Sequence, residues 1–228
     1  MWADQSRDKQ GMSLAVTRGK AGSGAHRPGR QVIIDAAVRC FYKHGYDGSS
    51  VRDITQEAGV TPAALYHYYA SKQDLLMEII TRFMDNSIGR TEAALRRAGP
   101  DPAARLFAAA QSHVLWNASD VASSFIVNSE IRSLEPDNRE RNVAQRDRLQ
   151  RLFDECVEDG CDKGVFTAPW PGEASRAVVV MCTFVARWYR ESGPLSPEEI
   201  AWRYGHMALS LVGASRAPQF EPPTYKDS

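Results

Sequence analysis

The sequence has no long uncharged apolar run, no apolar leader and no closely paired cysteines, and each absence excludes a class of protein. Residues 177–186 form an uncharged apolar stretch of ten residues, which is about half the length of a membrane span. We therefore expect a buried helix at this position and no association with a membrane. The first residues also lack the apolar core of a secretory signal peptide, so we expect a cytoplasmic protein.

Catalytic and metal-binding signatures are absent as well. The four cysteines, at positions 40, 156, 161 and 182, form no C-x-x-C motif, which predicts reduced thiols. There is no P-loop, no G-x-S-x-G and no H-E-x-x-H, and no Cys, His and Asp cluster has the spacing of metal ligands. His113 has no carboxylate or nucleophile partner within its own predicted helix. We therefore expect no catalytic residue, no metal, no cofactor and no enzymatic activity.

Charge is balanced over the whole chain but is divided unevenly along it. The formal net charge is zero, with 28 basic and 28 acidic residues. Residues 1–72 contain ten Lys and Arg against six Asp and Glu, so this segment carries an excess of four positive charges. The remainder carries four negative charges in excess. A basic N-terminal third on an acidic body is typical of a DNA-reading head joined to a domain with another task.

Apolar residues recur at spacings of three and four from residue 30 onward, and no segment shows sustained alternation. This pattern predicts an all-α fold of about nine helices. Residues 1–29 are rich in Gly, Ser, Arg and Lys, and we expect a flexible basic arm. The arm either enters a DNA minor groove or is a solvated tail. Residues 217–228 contain three prolines and predict a loose C-terminal tail.

Residues 30–75 contain a helix, a second short helix, a glycine turn and a third short helix, which is the order of a helix-turn-helix. In the first helix, the predicted inner face consists of Val32, Ile33, Ala36, Ala37, Cys40 and Phe41. Thr61 and Pro62 supply an N-cap and a first helical residue for the third helix. Leu65 and Tyr69 are spaced to face inward, while Tyr66, His67, Tyr68 and Lys72 can donate hydrogen bonds to phosphates.

Three runs within this segment resemble the TetR/AcrR family of bacterial repressors. They are Ser50-Val51-Arg52-Asp53-Ile54, Ala58-Gly59-Val60-Thr61 and Leu65-Tyr66-His67-Tyr68-Tyr69-Ala70-Ser71-Lys72. The similarity covers about residues 30–80 and keeps the spacing throughout. It departs at Tyr69, where phenylalanine is usual, and at Ala63, where Gly, Ser or Pro is common.

The resemblance assigns roles to individual residues of the motif. Ser50, Tyr66, Tyr68 and Lys72 match positions that contact phosphates, and Arg52, Thr61, Pro62 and Ala63 match positions that face base edges. Arg52 is the expected guanine reader, because its planar fork can bond O6 and N7 together. The alternatives are that Arg52 is a solvated surface residue and that Tyr66 packs against its own helix.

The resemblance also implies that residues 76–216 form a ligand-binding and dimerisation domain. The last two helices of each subunit are expected to pair in a homodimer, as a palindromic operator in double-stranded DNA requires. A pocket is expected between the fifth and eighth helices. The candidate lining residues are Phe107, His113, Trp116, Phe125, Phe153, Phe184, Arg187 and Trp188. Aromatic residues at such spacing also form ordinary core, which is the alternative interpretation of this set.

The segment from Arg187 to Ile200 is similar to the C-terminal segment of TetR-type regulators of fatty-acid and sterol catabolism. That similarity implies an acyl-CoA as one candidate small-molecule effector, with arginines near the CoA phosphates and a tryptophan near adenine. Arg187 and Arg190 are alternatively surface charges near a helix end.

The sequence therefore predicts a ligand-responsive repressor in a bacterial cell. A ligand in the body would move the long fourth helix and thereby change the separation of the two DNA-reading helices. The alternative is a helical small-molecule-binding protein or enzyme that has no role on DNA.

Overall fold

The computed structural model describes residues 28–215, and the predicted tail and most of the predicted arm lie outside this range. Ten α-helices and one 3-10 turn follow one another, and no strand occurs within the described residues. The helices are α1 (Pro28–His44), α2 (Val51–Ala58), α3 (Pro62–Tyr66), α4 (Lys72–Arg97), α5 (Pro102–Ser119), α6 (Val121–Ser129), α7 (Pro136–Asp162), α8 (Pro171–Thr183), α9 (Val185–Trp188) and α10 (Pro197–Leu211). The all-α prediction is confirmed, and α8 and α9 together replace one predicted helix.

The described residues divide into two compact units, with the boundary between residues 72 and 73. In the first unit, α1 and α2 pack around fully buried Ile33, Phe41 and Ile54. Arg39 on α1 also pairs with Glu57 on α2, at 2.6 Å between Nε and Oε1. The inner face of α1 follows the prediction with one exception. Val32 is 42% exposed, and its neighbour Ile34 is buried instead.

The second unit is built around α5, which packs against α7, α8 and α10. Asp101 caps α5 by accepting hydrogen bonds from the amides of Ala103 and Ala104, as Asp does at helix starts. Gly205 of α10 faces the Phe107 ring, and a Cβ atom there would lie 2.6 Å from Cε2 of the ring. The glycine therefore permits the close approach of α5 and α10.

The predicted continuous eighth helix is interrupted. The apolar spacing of the sequence predicts one helix from about Glu173 to Ser192, whereas α8 ends at Thr183 and α9 covers only Val185–Trp188. The Thr183 hydroxyl donates to the Val179 carbonyl at 2.8 Å, a bond to the preceding turn that bends helices. The Arg187 amide then bonds to the Phe184 carbonyl three residues back, instead of four.

The remaining differences are small. The sequence pattern predicts a helix from Ser119 to about Leu134, whereas α6 ends at Ser129 and continues as the 3-10 turn Glu130–Ser133. The spacing of apolar residues in α7 also predicts an inward-facing Val143, which is instead 46% exposed. Among residues 28–215, no helix combines the length and the hydropathy that crossing a bilayer requires.

Candidate nucleic-acid interface and ligand cavity

Local capping interactions shape the segment from α2 to α3. Ser50 and Asp53 form a capping box at the start of α2, in which the Ser50 amide donates to Asp53 Oδ2 and the Asp53 amide to Ser50 Oγ. Gly59 ends α2 with φ of 66°, a backbone conformation that favours glycine. Thr61 then caps α3 by accepting from the Ala64 amide at 3.2 Å, and Pro62 is the first helical residue. The turn is therefore determined by its own residues.

One side of α3 faces the protein and the other faces solvent. Leu65 and Tyr69 are buried, as predicted, and Arg30 Nε donates to the Tyr69 hydroxyl at 3.1 Å. Seven of the nine predicted DNA-contacting residues are exposed: Ser50, Arg52, Thr61, Pro62, Ala63, Tyr66 and His67. Tyr68 and Lys72 are half-buried. The structure thus presents the predicted residues of α2 and α3 on a surface that is open to a partner.

Besides Thr61, whose side chain caps α3, two of these nine side chains are already engaged within the protein. The Ser50 hydroxyl donates to Asp53 Oδ2 at 2.6 Å, and these bonds from Ser50 hold the pKa of the Asp53 carboxyl below its usual value. The Lys72 ammonium donates to the carbonyls of Tyr46 and Ser49, each at 2.9 Å, and lies 4.0 Å from the centre of the Tyr46 ring. Lys72, which matches a phosphate-contacting position, therefore has internal acceptors for its ammonium group in this structure.

Arg52 differs from these two residues. It is exposed, and its side chain has no hydrogen bond or ion pair with any residue in the range 28–215. Its guanidinium therefore keeps its full set of donors for an external acceptor. This is the arrangement that bidentate recognition of a base edge requires.

A cavity of about 320 Å³ lies within the second unit, between α4, α5, α6, α7 and α8. Its size is at the lower end of the range for small-molecule sites. The apolar part of its wall consists of Phe83, Met84, Val127, Leu149, Val179, Val180 and Phe184. The polar part consists of Ser87, His113, Asn117, Asn128, Arg146, Asp147, Gln150, Arg176 and Thr183. The wall thus combines seven apolar with nine polar residues, a larger polar share than the few polar groups usual in a ligand site.

The structure brings only part of the predicted ligand set to this cavity. His113 and Phe184 line it, and Phe153 is fully buried behind the His113 ring, at 6.0 Å between ring centres. Phe125 and Arg187 line a small adjoining cleft of about 10 Å³, and the Arg187 guanidinium lies 4.8 Å from the Phe125 ring centre.

Three predicted ligand residues lie elsewhere. Phe107 is buried against Gly205 of α10. The Trp116 ring packs on Phe83 and donates to the Phe83 carbonyl. Trp188 is 46% exposed beside Tyr204. These aromatics sit at helical spacing because they serve core and surface packing, which was the alternative interpretation.

His113 is the centre of a buried polar network. Its Nδ1 lies 3.2 Å from Ser87 Oγ, and its Nε2 lies 2.9 Å from Thr183 Oγ1. Burial, and next the positive charge of Arg146, lower the pKa of His113 to about 4. The imidazole is therefore neutral at pH 7 and acts as a hydrogen-bonding group.

Sequence reasoning missed Arg146. Burial lowers its pKa, and its guanidinium bonds to Asn142, Asn128 and Val127. A signal existed in the spacing, because Asn142, Arg146 and Leu149 continue the buried face of α7 toward its N-terminus. Arg146 was not singled out because α7 contains several other arginines that face solvent.

No group of His, Cys, Asp and Glu within residues 28–215 has the arrangement of a metal site. All four cysteines are free, as expected for reduced thiols. Burial raises the pKa values of the Cys156 and Cys182 thiols, so neither is an activated nucleophile.

Comparison with known proteins identifies both units. Residues 33–79 match the model for bacterial regulatory proteins of the tetR family, and residues 99–212 match that for the tetracyclin repressor-like C-terminal domain. The repressor KstR2 of Mycobacterium tuberculosis is 26% identical over 192 residues, which are 82% of this chain and 93% of KstR2. A solved structure of KstR2, a ketosteroid transcriptional regulator, has a TM-score of 0.75 at 22% identity, covering 86% of this chain and 99% of that one.

Two further solved structures agree. PfmR from Thermus thermophilus, a TetR family transcriptional regulator, has a TM-score of 0.72 and 31% identity over 78% of this chain and 97% of PfmR. AibR, solved with isovaleryl coenzyme A and operator DNA, has a TM-score of 0.72 at 22% identity over 82% of this chain and 99% of AibR, which shows a shared fold. The relatives are transcriptional regulators and not enzymes. The chain belongs to the TetR family of bacterial regulatory proteins.

Proposed function

We propose that this protein is a repressor that binds a palindromic operator as a homodimer and leaves it when a small molecule occupies the cavity in the second unit. The observation that carries the proposal is the exposed set on α2 and α3, above all Arg52 with its full set of donors. Such a protein works in the cytoplasm of a bacterium.

Helix α4 supplies the proposed link between ligand and DNA. It begins at Lys72, whose ammonium is bound to carbonyls of the first unit. Further along the same helix, Phe83, Met84 and Ser87 line the cavity. A ligand that displaces these three residues would move a helix whose start is tied to the DNA-binding motif. A coupling of roughly 1–3 kcal/mol between the two sites is enough to change operator affinity by about 5- to 150-fold.

The homodimer is proposed to form through α8, α9 and α10. Five large apolar side chains of these helices are exposed in the single chain: Val180, Phe184, Trp188, Met207 and Leu211. Their exposed fractions range from 40% to 53%, and exposed apolar groups concentrated on a few elements mark interaction surfaces.

An acyl-CoA is the proposed effector class. AibR was solved with an acyl-CoA, isovaleryl coenzyme A, and KstR2 is described as a ketosteroid transcriptional regulator. The cavity has the volume of about ten water molecules, which suits an acyl group and not the CoA portion. Arg187, exposed beside the small cleft, is a candidate contact for the part that stays outside.

Fluorescence anisotropy with labelled DNA from the protein's own promoter region, at several salt concentrations, tests the proposal. We expect palindrome-dependent binding that weakens with salt. Arg52→Ala should weaken binding to the specific site by about 5- to 150-fold, because one bidentate base contact contributes roughly 1–3 kcal/mol. Arg97→Ala, an exposed arginine at the end of α4, is the matched control and should bind like the wild type.

Two outcomes separate the alternatives. No specific binding at any salt concentration would contradict the repressor and favour a helical small-molecule-binding protein without a role on DNA. If specific operator binding is unchanged by added long-chain acyl-CoA, the protein is still a repressor but acyl-CoA is excluded as its effector class.

A further inference from the structure

The charge inside the cavity is not balanced. Three charged side chains line it, and two of them, Asp147 and Arg176, are exposed. Arg146 is half-buried, and no carboxylate within residues 28–215 lies within 4.0 Å of its guanidinium. A cation that is largely removed from water without a counter-charge is unfavourable, because the protein interior solvates charge poorly.

The partners of Arg146 are all neutral. Its Nε donates to Asn142 Oδ1 at 2.9 Å, and its Nη2 donates to the Val127 carbonyl at 2.7 Å. Both Nη atoms lie 3.3 Å from Asn128 Oδ1. These bonds fix the guanidinium in place but leave its charge uncompensated. Next to it, the buried Asn142 Nδ2 has no acceptor within the described range.

The other polar groups of the wall satisfy one another. His113 bonds to Ser87 and Thr183 through its two ring nitrogens. Asn117 Nδ2 donates to the His113 carbonyl at 2.8 Å, and Ser124 Oγ donates to Asn117 Oδ1 at 2.6 Å. A ligand therefore finds a closed network on this side and a fixed cation at Arg146.

We infer that the cavity binds an apolar ligand that carries an anionic oxyacid group, and that Arg146 is the residue that recognises this group. The apolar wall formed by Phe83, Leu149 and Val179 takes the body of the ligand. A carboxylate or a phosphate would supply the missing negative charge to a guanidinium already held rigid, and it would accept a hydrogen bond from the one Nη1–H that has no partner within residues 28–215. The inference rests on the proposed role of the cavity as the effector site, and within the proposed acyl-CoA class it selects acyl groups that themselves carry an anionic group.

Calorimetry on the full-length protein without DNA tests this inference at pH 7 with four eight-carbon probes: octanoate, octyl phosphate, octanol and octanamide. Octanoate has ten non-hydrogen atoms, about the number of water molecules that the cavity volume corresponds to. We expect at least one of the two anions to bind about tenfold or more tightly than the neutral probes, because hydrogen bonds to charged groups are the stronger ones. The tighter of the two anions identifies the oxyacid.

Variants at residue 146 identify the recognising group. Arg146→Met keeps an apolar chain of similar length and should reduce the preference for the anion to about that of the neutral probes. Arg146→Lys keeps the charge but loses the hydrogen bonds to Asn142, Asn128 and Val127 that hold it in place, so its anion preference should fall between these limits. This variant also covers the case in which Arg146→Met does not fold. Arg151→Met is the matched control, an exposed arginine of the same helix, and should bind like the wild type.

Equal affinities for the anionic and neutral probes would overturn the inference, as would an unchanged anion preference in Arg146→Met. Failure of both anions to bind at millimolar concentration would overturn it as well. These results are independent of the operator assay. If the protein binds its operator but shows no anion preference, the repressor function stands and the role of Arg146 is rejected. If it shows an anion preference but does not bind an operator, the role of Arg146 stands and the repressor function is rejected.

Discussion

His113 shows how a single buried group makes the free energy of unfolding depend on pH. Its pKa is lowered to about 4, first by burial and then by the positive charge of Arg146. In the unfolded chain the imidazole has a pKa of about 6.5. Between these two values the unfolded state binds a proton that the folded state excludes. The free energy of unfolding therefore loses nothing to the titration of His113 above pH 6.5, and it decreases as the pH falls from 6.5 toward 4.

We predict that the free energy of unfolding falls more steeply in the wild type than in His113→Gln between pH 7 and pH 5. The difference should be about 2 kcal/mol, since one proton contributes roughly 1.4 kcal/mol per pH unit below the unfolded pKa. Urea unfolding of both proteins at the two pH values measures it. His113→Gln starts from a lower stability because it loses hydrogen bonds, so only the change with pH is compared. Parallel declines would contradict a neutral, buried His113.

At the scale of helices, close packing of α5 on α10 depends on the missing side chain of Gly205. A methyl group there would lie 2.6 Å from the Phe107 ring, which is only 2% exposed and has little room to move. Gly205→Ala should therefore destabilise the protein by about 1–3 kcal/mol through overpacking. Urea unfolding measures the change.

Gly89 on α4 is the matched control for this prediction. It is exposed, and a Cβ atom there would meet nothing within 4 Å. Gly89→Ala should stabilise the protein by up to about 1 kcal/mol, because alanine favours the helix and restricts the unfolded chain. The two substitutions are chemically identical, so stabilisation by both would show that the contact with Phe107 does not limit the packing.

Helix limits could be predicted where they depend on local chemistry. The Thr61-Pro62, Asp101-Pro102 and Ser196-Pro197 pairs each begin a helix, because capping and the fixed φ of proline act within a few residues. The break after Thr183 could not be predicted in this way. Thr183 is bonded to its own helix and to His113, seventy residues earlier in the chain, and no local pattern reports that contact.

The two candidate sites also differ in whether they depend on local sequence or on tertiary packing. The exposed face of α2 and α3 follows from a contiguous motif of short range, so its residues could be named from the sequence. The cavity is assembled from five helices, and of the phenylalanines and tryptophans named from the sequence only Phe184 lines it. Arg146 and Asn128, eighteen residues apart on different helices, become partners only through tertiary packing.

At the scale of the whole molecule, the apolar surface of α10 determines whether two DNA-binding motifs can act together. Met207 and Leu211 lie one turn apart and are 53% and 40% exposed. Two charges placed there would have to be desolvated in an interface between copies, which is strongly unfavourable. We predict that the double variant Met207→Glu with Leu211→Glu is a monomer, while the wild type is a dimer, as measured by light scattering after size-exclusion chromatography.

The matched control is Val143→Glu on α7, because Val143 is exposed to a similar extent, at 46%, but lies outside the proposed interface. It should remain a dimer with wild-type operator affinity. The monomeric variant should retain its helical circular dichroism but contact only one half-site, so the dependence of its DNA affinity on salt concentration should be about half as steep.

If the double variant is still a dimer, the interface does not include this face of α10. A monomeric variant with undiminished affinity for the palindrome would show that each DNA-binding motif acts alone, and the ligand would then have no spacing between motifs to change.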